Sequence, residues 1–384
     1  MYSHVAIVHH TYTMTSLVEE ELLLYLLKKS KKITYLTHPF KGARDGVSLR
    51  SNIRNYAGGK LKKEKEYFAG FGPEVLFFIK DILFNLVYFL KNEKVDVYFG
   101  VDNLNALCGI ILKKMGKTDK VIYYVIDYVP FRFNNPVLNK IYNYIDLFCV
   151  KHCDLTWNLS DQMAIARKKS GLDDKYLEKQ ITVPVGCNPT KLKNNKKENS
   201  ITYLGILSKD QGINLLVESM PGIIKKIPTI KLRIIGSGEE LESIMTLVKK
   251  LKIERNIEFL GFIKDNRDVE KILSESQIGI APYLITKKSF KYFTDPGKIK
   301  TYLGAGLPVV MTNISHIADV IKKRNAGIVT LDNSSDLSSS IFNLLSNKKQ
   351  LSEMSLNSVE LSKEYSWHNI FDYAFRKIEN INYV

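Results

Sequence analysis

The chain has 384 residues, a length typical of two domains of ordinary size rather than one compact core. Its 45% hydrophobic and 25% charged residues are typical of a globular protein and exclude global disorder. No segment approaches the roughly 20 uninterrupted apolar residues of a membrane span. The N-terminal MYSHVAIVHH lacks the basic and long apolar regions of a signal peptide, so we expect a cytoplasmic protein.

The four cysteines predict neither a metal site nor a disulfide framework. Only Cys149 and Cys153 lie close in sequence, and no second pair completes a tetrahedral set of ligands. Reduced thiols of a cytosolic protein are the expected state.

Positive charge is concentrated near the N-terminus. The net charge is +16, and residues 28–65 contain 12 Lys or Arg but only two acidic residues. The apolar-rich segment 75–90 follows. One interpretation is a solvated surface beside a core helix; the other is an interfacial helix in peripheral contact with an anionic membrane. No nucleic-acid recognition motif accompanies the charge, so no nucleic-acid partner is expected.

Apolar strands alternate with amphipathic helices in the first half. Helices are predicted at 15–29 and from about 73, with a polar, Gly-containing connection before the second. Strands are predicted at 4–10, 32–38, 95–100, 121–127, 154–158 and 181–185. This alternation predicts a parallel, doubly wound sheet.

A polar run at 188–200 interrupts the pattern, which then restarts. We predict an α/β protein of two Rossmann-like, doubly wound domains facing each other across a cleft. The predicted divisions are an acceptor-side domain 1–190, a linker 191–200, a donor-binding domain 201–360 and a C-terminal helix 361–384 that packs back on the first domain.

Three strands of the second half end in glycine, at Gly205, Gly236 and Gly261. A missing Cβ at a strand-to-helix turn lets a ligand approach the backbone, and free amides at a helix start attract phosphate. Gly297 and Gly304 add to this set. The sequence therefore predicts an anion site at one edge of the second sheet.

The second half resembles the retaining nucleotide-sugar glycosyltransferases of family 4 (glycosyl transferases group 1), which have the GT-B fold. The matching segments are YLGILSKDQGINLLVES (203–219), LRIIGSGEEL (232–241), IEFLGFI (257–263), QIGIAPY (277–283) and DPGKIKTYLGAGLPVV (295–310). They cover most of residues 200–330 in the family's order.

The resemblance implies a donor site for a nucleotide-diphosphate sugar. Its expected residues are Gly205, Lys209, Gly212, Gly236, Gly238, Phe262, Ile263, Asp295, Gly297, Lys298 and Thr301. The chain departs from the family at three places, where Ile206, Gln211 and Thr301 replace the family's Arg, Lys and Glu. Lys209, Lys298 or Lys300 is then expected to supply the missing positive charge.

The first half is expected to supply the acceptor side. Asp127, at a strand end, is the candidate for orienting or deprotonating the acceptor hydroxyl; the alternative is a helix or turn cap. Arg132 is a candidate partner of an acidic acceptor, and the alternative is a surface arginine. The other acceptor-side candidates are His9, His10 and Thr11, and the hydroxyls of Thr15 and Ser16 are expected to cap the next helix.

These residues favour sugar transfer to a saccharide or lipid-linked acceptor at the cytoplasmic membrane face, in cell-surface polysaccharide or glycoconjugate synthesis. The resemblance implies a retaining, metal-independent reaction without a cofactor, the nucleotide sugar being the co-substrate. One alternative is an epimerase of the same fold, which needs a dense acid–base cluster. The other is a non-catalytic nucleotide- or glycan-binding or assembly protein, which the three departures favour.

Overall fold

The computed structural model describes residues 1–11, 17–40, 48–69, 73–190, 198–284 and 293–381. The chain forms two compact units. Unit 1 comprises Met1–Pro184 and the chain end from Phe371, and unit 2 comprises Val185–Ile370. Most of the expected linker (191–197) and the proposed capping residues Thr15 and Ser16 lie outside the described residues.

Unit 1 is built on a sheet whose described strands lie in the order β4-β3-β2-β1-β5-β6-β7-β8. The pairs from β2 to β8 are parallel, as predicted. The strands are β1 Tyr2–Thr11, β2 Ser30–Pro39, β3 Arg50–Ala57, β4 Lys60–Ala69, β5 Val95–Val101, β6 Thr118–Val125, β7 Leu155–Asn158 and β8 Gln180–Thr182.

The sequence predicted a polar connection before the second helix, but the structure has the hairpin β3–β4 there. β3 pairs antiparallel with β2 and with β4, so the sheet is mixed rather than wholly parallel. Gly58 and Gly59 form its turn with φ of 57° and 74°, the positive values that a two-residue hairpin turn requires. The pattern was missed because β4 is an edge strand, and edge strands tolerate the charges that otherwise indicate a loop.

Helices connect most strands of the unit 1 sheet. They are α1 Leu17–Leu26, α2 Glu74–Lys91, α3 Asn103–Lys114, α4 Pro136–His152 and α5 Asp161–Lys169, and α13 Trp367–Glu379 ends the described chain. Within unit 1, the α13 residues Phe371 and Phe375 pack against the buried Trp157, with ring centroids 6.5 and 5.5 Å away. This aromatic cluster ties the chain end to the core of unit 1.

Unit 2 has a parallel sheet in the order β11-β10-β9-β12-β13-β14. Its strands are β9 Ser200–Leu204, β10 Lys231–Ile235, β11 Ile257–Gly261, β12 Ile278–Ala281, β13 Val309–Thr312 and β14 Gly327–Thr330. Its helices are α6 Ile213–Ile224, α7 Leu241–Leu251, α8 Asn266–Ser274, α9 Gly297–Gly304, α10 His316–Lys323, α11 Ser334–Ser346 and α12 Lys348–Glu364. The strand–helix alternation confirms the predicted Rossmann-like organisation.

No helix in the described part of the chain is both long and apolar enough to cross a bilayer. All four cysteines are buried and free. Among the described residues, no group of three or more His, Cys, Asp or Glu side chains is arranged to hold a metal ion.

Candidate functional site

Unit 1 contains a pocket of about 240 Å³ at the carboxyl ends of β1, β5 and β6. Parallel strands bring their ends to one edge, which is where open α/β sheets bind ligands. The pocket lining brings together three residues singled out in the sequence, His10, Asp127 and Arg132. The remaining lining residues are Phe40, Val101, Asp102, Tyr123, Ile126 and Tyr142.

His10 is held between two carboxylates. Its Nδ1 lies 2.6 Å from Asp102 Oδ2 and its Nε2 lies 3.3 Å from Asp81 Oδ2. Burial alone would lower the pKa of His10, but Asp102 and Asp81 raise it to about 9. The imidazole is therefore a cation at neutral pH, fixed at the floor of the pocket.

Asp102, which the sequence analysis missed, has a backbone conformation that non-glycine residues rarely adopt. Its φ is 79° and its ψ is 165°, a region that costs about 1–3 kcal/mol. It caps α3, since its Oδ1 accepts a hydrogen bond from the Asn105 amide at 3.0 Å. The available signal was an aspartate directly after a buried strand and before a helix, the same pattern that singled out Asp127.

Beneath His10, the inner face of α2 supplies a second polar layer. Asp81 Oδ1 lies 3.0 Å from His38 Nδ1 and 2.7 Å from Lys80 Nζ. The Asn85 side-chain oxygen lies 2.8 Å from His38 Nε2. Burial is the main cause that lowers the pKa of His38. The sequence signal for this layer was Asp81 and Asn85, two polar residues four apart in an apolar helix, a spacing that places both on one face.

Asp127 faces the pocket beside Arg132. The residue is exposed at the pocket mouth, yet nearby protein atoms partly desolvate its carboxyl and raise its pKa, while the nearby Arg132 acts in the opposite direction. The Arg132 guanidinium carbon lies 5.2 Å from the Phe40 ring centroid and 5.6 Å from that of Tyr142. The pocket thus pairs a carboxyl of raised pKa with an arginine held by two aromatic rings.

The other two acceptor-side candidates do not line this pocket. His9 points to the opposite face of β1, as side-chain alternation requires, and its Nδ1 lies 3.6 Å from Glu19 Oε1. Burial lowers the pKa of His9 to about 3 and raises that of Glu19 to about 7. Thr11 ends β1 and its carbonyl accepts a hydrogen bond from the Phe40 amide at 3.2 Å.

In unit 2, the glycine turns lie against one another. The sequence predicted free amides at these turns, but the amides of Gly205 and Gly236 are hydrogen-bonded to neighbouring carbonyls. The Gly205 amide donates to Ile235 O at 2.9 Å, and the Gly236 amide donates to Gly261 O at 2.8 Å. A Cβ on Gly236 would lie 1.9 Å from Gly205 O, and the φ of Gly236 is 142°. These glycines therefore allow close stacking of the turns rather than donating their amides to an anion.

Lys298, in the first turn of α9, lies at the glycine edge. Its Nζ is 2.9 Å from Gln211 Oε1, and a Cβ on Gly205 would come within 2.8 Å of it. The ammonium group also lies 4.4 Å from the Tyr203 ring centroid and 4.9 Å from that of Tyr283. Gln211, which replaces the family's Lys, therefore accepts a hydrogen bond from the Lys298 ammonium group.

Lys300 is not available as a substitute cation. It is 1% exposed, and its Nζ lies 2.6 Å from Asp295 Oδ1. The second Asp295 oxygen accepts the Val185 amide at 2.8 Å. Asp295 therefore joins the loop before α9 to Lys300 in the helix and to the backbone at Val185. Thr301 donates within α9, to Gly297 O at 3.1 Å.

The remaining donor-side candidates surround these turns. Lys209 is exposed and lies in the turn before α6. Phe262 follows β11 and is 52% exposed, whereas the next residue, Ile263, packs on the core. A Cβ on Gly212 would lie 1.6 Å from Pro282 O, and one on Gly238 would lie 2.3 Å from Leu207 O. Gly212 and Gly238 thus permit close backbone contacts, as Gly236 does.

Comparison with known proteins agrees with this geometry. Residues 198–347 match the family model described as glycosyl transferases group 1. An uncharacterized glycosyltransferase of Methanocaldococcus jannaschii is 26% identical over 178 residues, which are 45% of this chain and 43% of that protein. The alignments span about half the length of the curated relatives that the chain matches.

Solved structures resemble the chain over nearly its whole length. Sucrose-phosphate synthase from Thermosynechococcus elongatus superposes with a TM-score of 0.72 at 14% identity, covering 99% of this chain and 100% of that one. Anabaena HepE in complex with UDP superposes with a TM-score of 0.67 at 11% identity, covering 98% and 99%.

The two Rossmann-like units thus define a protein of the GT-B fold class, as predicted. More particularly, residues 198–347 match the group 1 glycosyltransferase model, which confirms the resemblance found in the sequence.

Proposed function

We propose that the protein is a retaining glycosyltransferase that moves a sugar from a nucleotide-diphosphate sugar to a saccharide or lipid-linked acceptor. The observation that carries the proposal is the convergence of Lys298 and Gly205 at the stacked glycine turns of a group 1 domain. Synthesis of a cell-surface polysaccharide or glycoconjugate, on the cytoplasmic side and peripheral to the membrane, is the proposed setting.

On the donor side, the Lys298 ammonium is proposed to contact the diphosphate. The two tyrosine rings and Gln211 hold this ammonium group at the glycine turns. An anion arriving there gains a charge-assisted bond. The amides of the first turn of α9 also favour negative charge at that end of the helix.

On the acceptor side, Asp127 is proposed to orient or deprotonate the acceptor hydroxyl. A carboxyl of raised pKa is a stronger base once ionised than an ordinary aspartate, which suits proton abstraction. The neighbouring Arg132 favours an acceptor that carries oxygen-rich or anionic groups. The pocket volume of about 240 Å³ suits one sugar-sized unit.

The proposed reaction uses the leaving phosphate itself to assist attack on the same face of the sugar. In that scheme the protein stabilises developing charge on the diphosphate and supplies no covalent nucleophile. Lys298 and the end of α9 are the groups proposed to supply this stabilisation without a metal ion.

Lys298→Met is expected to weaken binding of UDP and of nucleotide-diphosphate sugars about 10- to 100-fold, because a charge-assisted contact contributes about 1.5–3 kcal/mol. Isothermal titration calorimetry against a panel of nucleoside diphosphates measures the loss. Lys226→Met is the matched control, because Lys226 lies 4.2 Å from the Phe342 ring centroid, away from the glycine turns. Equal affinities for both variants would place the donor site elsewhere.

A turnover assay with nucleotide sugars and candidate acceptors separates transfer from the non-catalytic alternative. A transferase consumes a nucleotide sugar in the presence of an acceptor and releases the nucleoside diphosphate. A binding or assembly protein of the same fold retains the nucleotide affinity and shows no turnover with any acceptor.

The acceptor-side proposal predicts a His10 titration well above the ordinary range. Since the folded pKa is about 9 against an ordinary 6.5, His10 stabilises the fold fully below about pH 6.5 and loses this contribution as pH rises through 9. Histidine NMR signals should show this pKa, and Asp102→Asn should lower it. A His10 pKa at or below 6.5 would contradict the charged assignment.

A further inference from the structure

The helix α2 buries the polar side chains of Asp81 and Asn85 and exposes an aliphatic stripe. Its buried residues recur every fourth position: Phe77, Asp81, Asn85 and Phe89. The opposite face is formed by Leu76, Ile79, Leu83 and Val87, which are 48–57% exposed, with Val75 at 45% beside them. Soluble helices normally bury such a stripe, and a contiguous exposed one marks an interaction surface.

The polar cluster fixes this orientation. Asp81 lies 3.3 Å from His10 Nε2 and 3.0 Å from His38 Nδ1, and Asn85 lies 2.8 Å from His38 Nε2. Turning α2 to bury its leucines would leave these groups without their polar partners, which is costly inside a protein. The aliphatic stripe is therefore a stable feature of the folded unit.

Basic groups adjoin the stripe. The hairpin β3–β4 packs against α2, with the Tyr67 and Phe84 ring centroids 5.0 Å apart. Lys65 Nζ lies 5.1 Å from the Tyr67 ring centroid, and Lys63 is two residues earlier in β4, on the same face. Both lysines are exposed.

We propose that the outer face of α2, with Lys63 and Lys65 beside it, docks on an anionic lipid surface. Lipid is the occupant favoured by charge complementarity, because aliphatic side chains enter the acyl boundary while lysines meet anionic headgroups. The net charge of +16 adds long-range attraction.

The surface has a geometric relation to the acceptor pocket. The inner face of α2 contacts His10, which lines the pocket, and the Phe78 ring centroid lies 5.8 Å from that of His10. A bilayer on the outer face would lie about 10 Å away, the diameter of one helix. The inference rests on the proposed function, because it assigns a surface to the proposed membrane setting and places lipid-linked acceptors beside the pocket.

The test is sedimentation of the full chain with phosphatidylcholine vesicles that contain or lack phosphatidylglycerol, at low and high salt. The wild type should pellet with the anionic vesicles at low salt and be released at high salt. Leu76→Glu/Leu83→Glu should reduce vesicle binding about 10-fold or more, because it removes apolar contact and adds repulsion. Lys63→Ala/Lys65→Ala should lower it about 10-fold on anionic vesicles only.

The control is Leu331→Glu/Leu356→Glu, two leucines of unit 2 that are 64% and 55% exposed, and it should bind vesicles like the wild type. Circular dichroism and UDP affinity are measured on every variant. Absence of wild-type pelleting at low salt, or equal pelleting of the α2 variant, would overturn the proposal. So would wild-type self-association in light scattering that the α2 variant abolishes, because a second copy would then cover the stripe. Absence of UDP binding by the wild type would overturn the proposed sugar transfer but not lipid docking.

Discussion

Asp127→Asn is expected to slow sugar transfer about 10²- to 10⁴-fold, the usual contribution of a positioned general base. The amide keeps the size of the carboxyl but cannot accept the acceptor's proton. Since Asp127 lies in the unit 1 pocket, nucleotide affinity in unit 2 should remain unchanged. Single-turnover rates with saturating nucleotide sugar measure the effect on the chemical step, and calorimetry measures binding.

Asp119→Asn is the matched control, because Asp119 is a partly exposed carboxylate of the same unit, 2.5 Å from Lys94 Nζ. Its rate should equal that of the wild type. A pH profile adds a test that a structural role would not pass. Because the Asp127 pKa is raised, the wild-type rate should fall as pH decreases towards and below this pKa, with a midpoint above the ordinary aspartate value. An unchanged rate for Asp127→Asn would remove this residue from the mechanism.

Arg167→Leu is expected to destabilise unit 1 by about 3–5 kcal/mol, because it leaves a buried carboxylate without its partner. Arg167 Nε lies 2.7 Å from Asp146 Oδ2, and its NH2 group lies 2.8 Å from Asp146 Oδ1. Burial alone would lower the pKa of Arg167, but Asp146 raises it, so the pair stays charged inside the protein. The melting temperature of unit 1 should fall by about 6–20 °C in calorimetry.

The double variant Arg167→Leu/Asp146→Leu should recover much of this loss, because no unpaired charge then remains. Lys32→Met is the surface control, since Lys32 Nζ lies 2.7 Å from Glu93 Oε2 with both side chains more than half exposed. It should change stability by about 1 kcal/mol or less. A loss that small for Arg167→Leu would contradict the structural role of the buried pair.

Local patterns in the sequence were sufficient for much of unit 2. Buried parallel strands are short apolar runs, and each was followed by turn and helix signals that depend on neighbouring residues only. The hairpin β3–β4 was not predicted, because its many charged residues are typical of a loop. Gly58-Gly59 between alternating residues is nevertheless a hairpin signal. Its position at the sheet edge, which tolerates those charges, is a property of the whole sheet.

Residue roles depended more strongly on tertiary contacts. His9 and His10 are neighbours in sequence, yet strand alternation sends one towards Glu19 and the other into the pocket. Lys298 and Lys300 are two residues apart, and one lies at the glycine edge while the other is buried against Asp295. Sequence spacing identified the segment but did not distinguish these side chains.

The sequence by itself determined the two Rossmann-like units and the resemblance of the second to group 1 glycosyltransferases, and it singled out His10 and Asp127 near strand ends and Arg132 in the loop that follows. The units follow from periodicity and local turn chemistry, and the resemblance follows from the motifs between residues 203 and 310. Only the tertiary structure decided that Asp102, Asp81 and His38 surround His10 and that α2 turns its aliphatic face outward. The reason is physical: the protonation of His10 and the rotation of α2 are set by groups 71 and 92 residues away in the chain, which meet only when the sheet forms.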